Sequence, residues 1–185
     1  NYLDQIAKKH RKERLNNGAL NIESEEVRFV LDKNGDPTGV KIKTSQDAHK
    51  LVEEFMLLAN KTVAKFFKKS KADSLNQNMV YRVHDKPDES KIEQLKVYLD
   101  KFGIELGKSD IHHLSKSLNA MLLGLKGKNE FNFIQSLVIR SMSKASYDVK
   151  NIGHYGLSFS DYTHFTSPIR RYADLVVHRL LEEKL

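Results

Sequence analysis

The chain contains no cysteine, so disulfides and thiolate metal sites are excluded. Nor does it have an apolar run approaching the roughly 20 residues that a bilayer-spanning helix needs. No internal repeat and no long Pro-, Gly- or Ser-rich linker divides the 185 residues, which are enough for one domain or most of a larger one. The opening stretch NYLDQIAKKHRKER is amphipathic and basic, without the apolar core of a signal peptide. These absences are compatible with a cytoplasmic location and argue against a membrane partner.

What is present fits a folded globular protein: 39% of residues are apolar and 30% charged. Lys and Arg number 31 against 24 Asp and Glu, for a net charge of +7. A basic balance favours anionic partners, because it concentrates phosphates and releases their counterions.

Hydrophobic periodicity divides the chain into elements. Leu3 to Leu15 reads as a helix stopped by Asn16-Asn17-Gly18. Its run KKHRKER, Lys8 to Arg14, reads as a solvated face or as a track for phosphates. Val27, Phe29 and Leu31 then alternate with Arg28, Val30 and Asp32 ahead of Asn34-Gly35, and Val40 and Ile42 alternate with lysines beyond it, as in a hairpin. From Thr44 the period becomes helical, with Thr44 and Asp47 resembling a capping box and with Val52, Phe55, Met56, Ala59, Val63 and Phe66 as the apolar stripe. Glu53 lies beside that stripe, whereas Glu54 lines up with Lys61, Lys65 and Lys68 as a solvated face. A short strand in NMVYRVHDKPD is followed by helices over Glu89 to Phe102, Asp110 to Leu125 and Phe131 to Tyr147. An ordered loop is expected over Asn151 to Phe165, and a last helix from Pro168 to the end. The fold class is therefore α+β, mostly helical with a small antiparallel element.

The stretch YTHFTSPIRRYADLVVHR, Tyr162 to Arg179, carries the chemistry. Ser167 is a favoured N-cap and Pro168 a favoured first helical residue. Arg170 and Arg171 then fall in the first turn, where a cation opposes the helix dipole by about 0.3–1 kcal/mol. Something must compensate. One answer is an acid of the domain, with Asp174 four residues from Arg170. The other is a bound phosphate, whose oxygens suit arginine's planar fork and the free N–H groups of a first turn. Ile169, Tyr172, Ala173, Val176 and Leu180 would form the buried face.

This stretch closely resembles the signature of the ribonuclease II/ribonuclease R (RNB) family of 3′-to-5′ exoribonucleases, and within it the ribonuclease R branch. AHKLVEEFMLLANKTVA, YRVHDKPD and IRSMSKASY…GHYGLSF resemble further blocks of the same domain, in the same order. The resemblance covers residues 1–185 and identifies them as the C-terminal part of the catalytic domain, with no second domain. It implies processive hydrolysis of single-stranded RNA to nucleoside monophosphates, with Mg²⁺ held by a closely spaced aspartate cluster. That cluster is matched by neither DKNGD nor DKPDES. The chain starts on a residue other than Met and ends at HRLLEEKL without a stop signal. The expectation is thus a piece of a longer protein that lacks metal ligands, is inactive alone, and has cold-shock and S1-type domains elsewhere in its parent. A non-catalytic RNA-binding relative is the alternative.

Residue by residue, the resemblance implies that Arg170 contacts the reacting phosphate, with Arg171, Ser167 and Tyr172 as neighbouring RNA contacts. It implies that Glu53 reads the sugar near the RNA 3′ end, where a carboxylate accepts hydrogen bonds from ribose hydroxyls. Without the family, Glu53 is equally a surface carboxylate. His154, Tyr155, Tyr162, His164, Phe165 and Tyr172 either line an RNA channel or pack the loop onto the last helix.

Overall fold

The computed structural model describes residues 2–22, 26–43, 46–69, 79–107 and 114–185. Among them are six α-helices: α1 (Tyr2–Asn16), α2 (Asp47–Lys69), α3 (Glu89–Asp100), α4 (Leu114–Leu125), α5 (Phe131–Ser141) and α6 (Tyr172–Lys184). Strands β1 (Glu26–Leu31) and β2 (Pro37–Lys43) form the expected antiparallel hairpin, with Phe29 opposite Val40. Its turn is tied by the Asp32 carboxylate, which accepts from Asn34 N and Asp36 N at 2.8 and 2.9 Å. Strands β3 (Tyr81–Val83) and β4 (Ser146–Asp148) form a second antiparallel pair, with Arg82 opposite Tyr147. The α+β expectation holds.

Two apolar clusters hold the chain. Ile92, Leu95 and Leu99 of α3 meet Leu114, Leu118, Leu122 and Leu125 of α4 and Ile134 and Val138 of α5. The second cluster joins Ala64 and Phe67 of α2 to Met79, Tyr81, Val83 and Val177. Each larger aliphatic or phenylalanine side chain so buried contributes about 1.5–3 kcal/mol relative to exposure.

Several boundaries differ from the sequence reading. The helix from Phe131 ends at Ser141 rather than Tyr147, because Ser146 to Asp148 pair with β3. Partner strands decide such short segments more than propensity does. The last helix starts at Tyr172, not Pro168; Ser167 to Arg170 form a separate turn, closed by N–H bonds from Arg170 and Arg171 to Ser167 O at 3.3 and 3.1 Å. Ile169 is consequently fully exposed (102%) instead of buried. On α2 the buried line is Glu54, Leu57, Asn60, Ala64 and Phe67, while Val52, Met56 and Phe66 are exposed. The stripe is displaced because two polar residues on the inner face find internal partners. The Thr44 half of the capping box and the Asp110 start of α4 lie outside the described residues.

Candidate nucleic-acid interface

Asp174 organises the turn ahead of α6. It is fully buried (0%). Its Oδ2 accepts from Ser167 N at 2.8 Å and from Arg171 Nη2 at 2.9 Å, and Oδ1 lies 2.9 Å from Arg171 Nε. A carboxylate in the first helical turn also suits the dipole. The internal acid anticipated for Arg170 is thus taken by Arg171, the N-cap residue of α6. Arg170 is exposed, reaches Ser167 Oγ at 3.4 Å, and forms no ion pair among the described residues. Tyr172, the first residue of α6, is 73% exposed.

The loop from Asn151 to Phe165 is held by side chains of α2, of α6 and of the end of β3. Asn60 on α2 donates to Tyr162 Oη at 3.1 Å and accepts from Phe165 N at 2.9 Å. Thr163 Oγ1 donates to Val80 O at 2.6 Å, and Arg82 N donates to Tyr162 O at 2.9 Å. Phe165 stacks on His178 with ring centroids 4.0 Å apart. His84 receives Gly156 N on Nδ1 at 2.9 Å, and its Nε2 lies 2.7 Å from Ser143 O. That approach needs glycine: a Cβ at position 156 would sit 2.9 Å from His84 Nδ1. Most of the candidate channel aromatics therefore pack the loop, and Tyr162 is buried.

His164 is placed differently. Its Nδ1 lies 2.7 Å from the hydroxyl of Tyr147, itself exposed, and Arg82 stands over the Tyr147 ring at 4.8 Å. Burial first, then the charges of Arg171, Arg82 and Arg170, lower the His164 pKa to about 4. His154 falls to about 3, chiefly through burial and then through His84 and Arg82. Both imidazoles are neutral near pH 7, so the positive potential here comes from arginines. Arg82 and Tyr147 escaped the sequence reading, because only the pairing of β3 with β4 sets them side by side.

Glu53 lies on α2, seven residues before Asn60, about 10 Å along the helix. It is half exposed, and its Oε1 is 3.7 Å from Arg14 Nη2. Its neighbour Glu54 is not on a solvated face. Glu54 is 3% exposed and Arg14 8%; they form a close ion pair, with a second contact from Nε to Oε2 at 3.4 Å. The basic run of α1 thus ends in a buried cation, invisible in the sequence because the partner lies 40 residues away. Among the described residues no group of three or more carboxylates or imidazoles is close enough to hold a metal ion. No helix among them is long and apolar enough to cross a membrane.

The surface thus combines an exposed arginine, on a turn locked by a buried acid, with aromatic and further arginine side chains on an α+β scaffold. The RNB domain family matches residues 1–185, and the chain belongs to that family. It is 44% identical to ribonuclease R of Thermotoga maritima over 96% of its own length and 24% of that protein's. It therefore spans about a quarter of the curated relatives it matches. Solved structures of Mycoplasma genitalium RNase R, in complex with ribose-methylated single-stranded RNA and with double-stranded RNA, superpose with TM-scores of 0.85 and 0.87 at 28% identity. They cover 97% and 99% of this chain, and 27% and 32% of theirs is matched. The fold is shared at a TM-score of 0.67 and 24% identity with yeast Ssd1, a pseudonuclease, over 98% of this chain and 22% of that one.

Proposed function

We propose that this chain is the RNA-phosphate and 3′-end recognition part of a 3′-to-5′ hydrolytic exoribonuclease that degrades single-stranded RNA to nucleoside monophosphates. Arg170 contacts the reacting phosphate, where a fixed cation stabilises charge developing on the phosphoryl oxygens. Ser167, Arg171 and Tyr172 border the same phosphate. Arg171, neutralised by Asp174, supports the turn more than it supplies charge. Glu53 accepts hydrogen bonds from the terminal ribose. The Mg²⁺ chemistry belongs to carboxylates elsewhere in the catalytic domain, so the isolated 185 residues are inactive. The observation that carries this reading is the division of labour between adjacent arginines: one is held by a buried acid, and the other is exposed without an ionic partner among the described residues.

The test uses 5′-labelled single-stranded RNA with Mg²⁺, given to the chain, to its intact parent, and to the parent with Arg170→Ala. The expected result is no cleavage by the chain, and a ladder shortening from the 3′ end with the parent. In the variant, turnover falls far more than affinity. Equal turnover with weakened binding overturns the role of Arg170. A ladder from the chain alone overturns the placement of the metal ligands.

The second reading, a non-catalytic RNA-binding relative, draws on the same fold occurring in a pseudonuclease. It expects the parent to bind RNA in a salt-dependent way and never to shorten it.

A further inference from the structure

Helices α3 and α5 leave a groove of about 460 Å³ between them, within the range of ligand sites. They run antiparallel, because Phe102, just beyond the end of α3, meets Phe133 in the first turn of α5 with ring centroids 5.6 Å apart. One end of the groove therefore carries Lys91 and Arg140, and the other carries Tyr98 and Phe133. Phe102 adjoins that aromatic end, and Lys101 stands 5.5 Å over the Tyr98 ring. Among the described residues no carboxylate lines the groove. Tyr98, Phe102 and Phe133 are each about half exposed, although α3 and α5 already have a buried side in Ile92, Leu95, Leu99, Ile134 and Val138. These aromatics are outside the apolar core, and cations accompany them.

We infer that this groove is a second binding site for single-stranded RNA, separate from the Arg170 surface. Cations at one end and aromatic faces at the other match a strand whose phosphates are held while its bases stack. Lys91 and Tyr98 are seven residues apart, about 10 Å along the helix axis, so the groove takes a step of one or two nucleotides. Stacking and phosphate contacts read no base identity, so binding is indifferent to sequence. An apolar protein segment would use the aromatics but leave Arg140 without a partner and Lys91 with only the exposed Asp88 of its own helix end; the charge favours the nucleic acid.

The experiment measures the affinity of the full chain for a fluorescent short oligouridylate by anisotropy across a salt series. Tyr98→Ala with Phe133→Ala is expected to weaken binding roughly tenfold per aromatic. Lys91→Ala with Arg140→Ala is expected to flatten the slope of log affinity against log salt by about 1.4, for two phosphates on a single strand. Arg170→Ala serves as the background: both effects persist in it, so failure of the Arg170 assignment and failure of this one are told apart. Unchanged affinity and slope in the Lys91 and Arg140 variant overturn the site, even if the aromatic variant folds poorly. A lowered melting temperature of the intact parent with unchanged RNA affinity also overturns it, and makes the groove a packing face for another part of the protein.

Discussion

The buried pair between Arg14 and Glu54 joins α1 to α2 directly beneath Glu53, and its removal has a calculable cost. Both partners are almost closed to solvent, so truncating one strands the other's charge, at about 3–5 kcal/mol. The two single substitutions should not be equal. After Glu54→Leu, Arg14 still has Glu53 Oε1 at 3.7 Å and can turn to it. After Arg14→Met, two adjacent carboxylates lose their cation, and one of them is buried. Arg14→Met is therefore the worse. Replacing both, Arg14→Met with Glu54→Leu, removes the unpaired charge and recovers most of the loss, since apolar isosteres of buried ion pairs are often neutral or better. In a chain of this size each kcal/mol moves the melting temperature by about 2–4 °C, so the single variants should melt roughly 6–20 °C lower. The assay is reversible thermal or urea unfolding of the four proteins of the cycle. Single variants within about 1 kcal/mol of the parent, or a double variant that simply adds the two losses, refute the reasoning.

Other perturbations act on the turn, the loop and the imidazoles. Asp174→Asn removes the charge that holds Arg171 and weakens the acceptor for Ser167 N; stability should fall by about 3 kcal/mol, and the parent's turnover should drop with it, checked by unfolding and by single-turnover cleavage. Gly156→Ala drives a Cβ into His84 Nδ1 and should cost about 1–3 kcal/mol, read by urea unfolding, whereas an exposed substitution such as Ile169→Ala should be nearly neutral. Folded His154 and His164 hold pKa values of about 3 and about 4, below the ordinary 6.5, so the unfolded chain takes up protons first. Their contribution to stability is full above about pH 6.5 and is lost as the pH falls toward 4 and 3. His154, facing His84, Arg82 and His164, dominates; unfolding at pH 7 and pH 5 should show the decline, and His154→Gln should flatten it.

The legible parts of the fold were those decided locally. The hairpin announced itself by alternation around Asn34-Gly35, and α2, α3 and α5 by their period. The illegible parts depended on partners distant in the chain. Ser146 to Asp148 looked like helix until β3 claimed them. Glu54 looked solvated until Arg14 reached it. Asn60, an ordinary polar residue in a helical pattern, proves to bind the loop ahead of α6 through Tyr162 and Phe165, more than 100 residues on. Buried polar groups are the common cause, because their burial is permitted only by partners that periodicity does not reveal. At the candidate site the sequence supplied the residue types and the need for compensating charge. It did not say which arginine the acid would take.

That choice determines the chemistry available. Two unpaired arginines in one helical turn would repel each other and oppose the dipole together. The structure avoids this by ending the Ser167 to Arg170 turn before α6 begins and by bringing Arg171 back onto Asp174. The same carboxylate fixes Ser167 N, and Ser167 in turn anchors the backbone N–H groups of both arginines. One buried charge thereby fixes the base from which Arg170 projects. A cation whose mounting is already ordered loses less entropy on meeting a phosphate than one on a mobile loop. If Arg170 is the phosphate contact, substitution of the mounting should imitate substitution of the contact. Asp174→Asn should lower the parent's turnover with little change in ground-state RNA affinity, as Arg170→Ala does, and the two together should be far from additive. Additive losses would mean that the turn and the arginine act separately, and the division of labour between the two arginines would no longer explain the site.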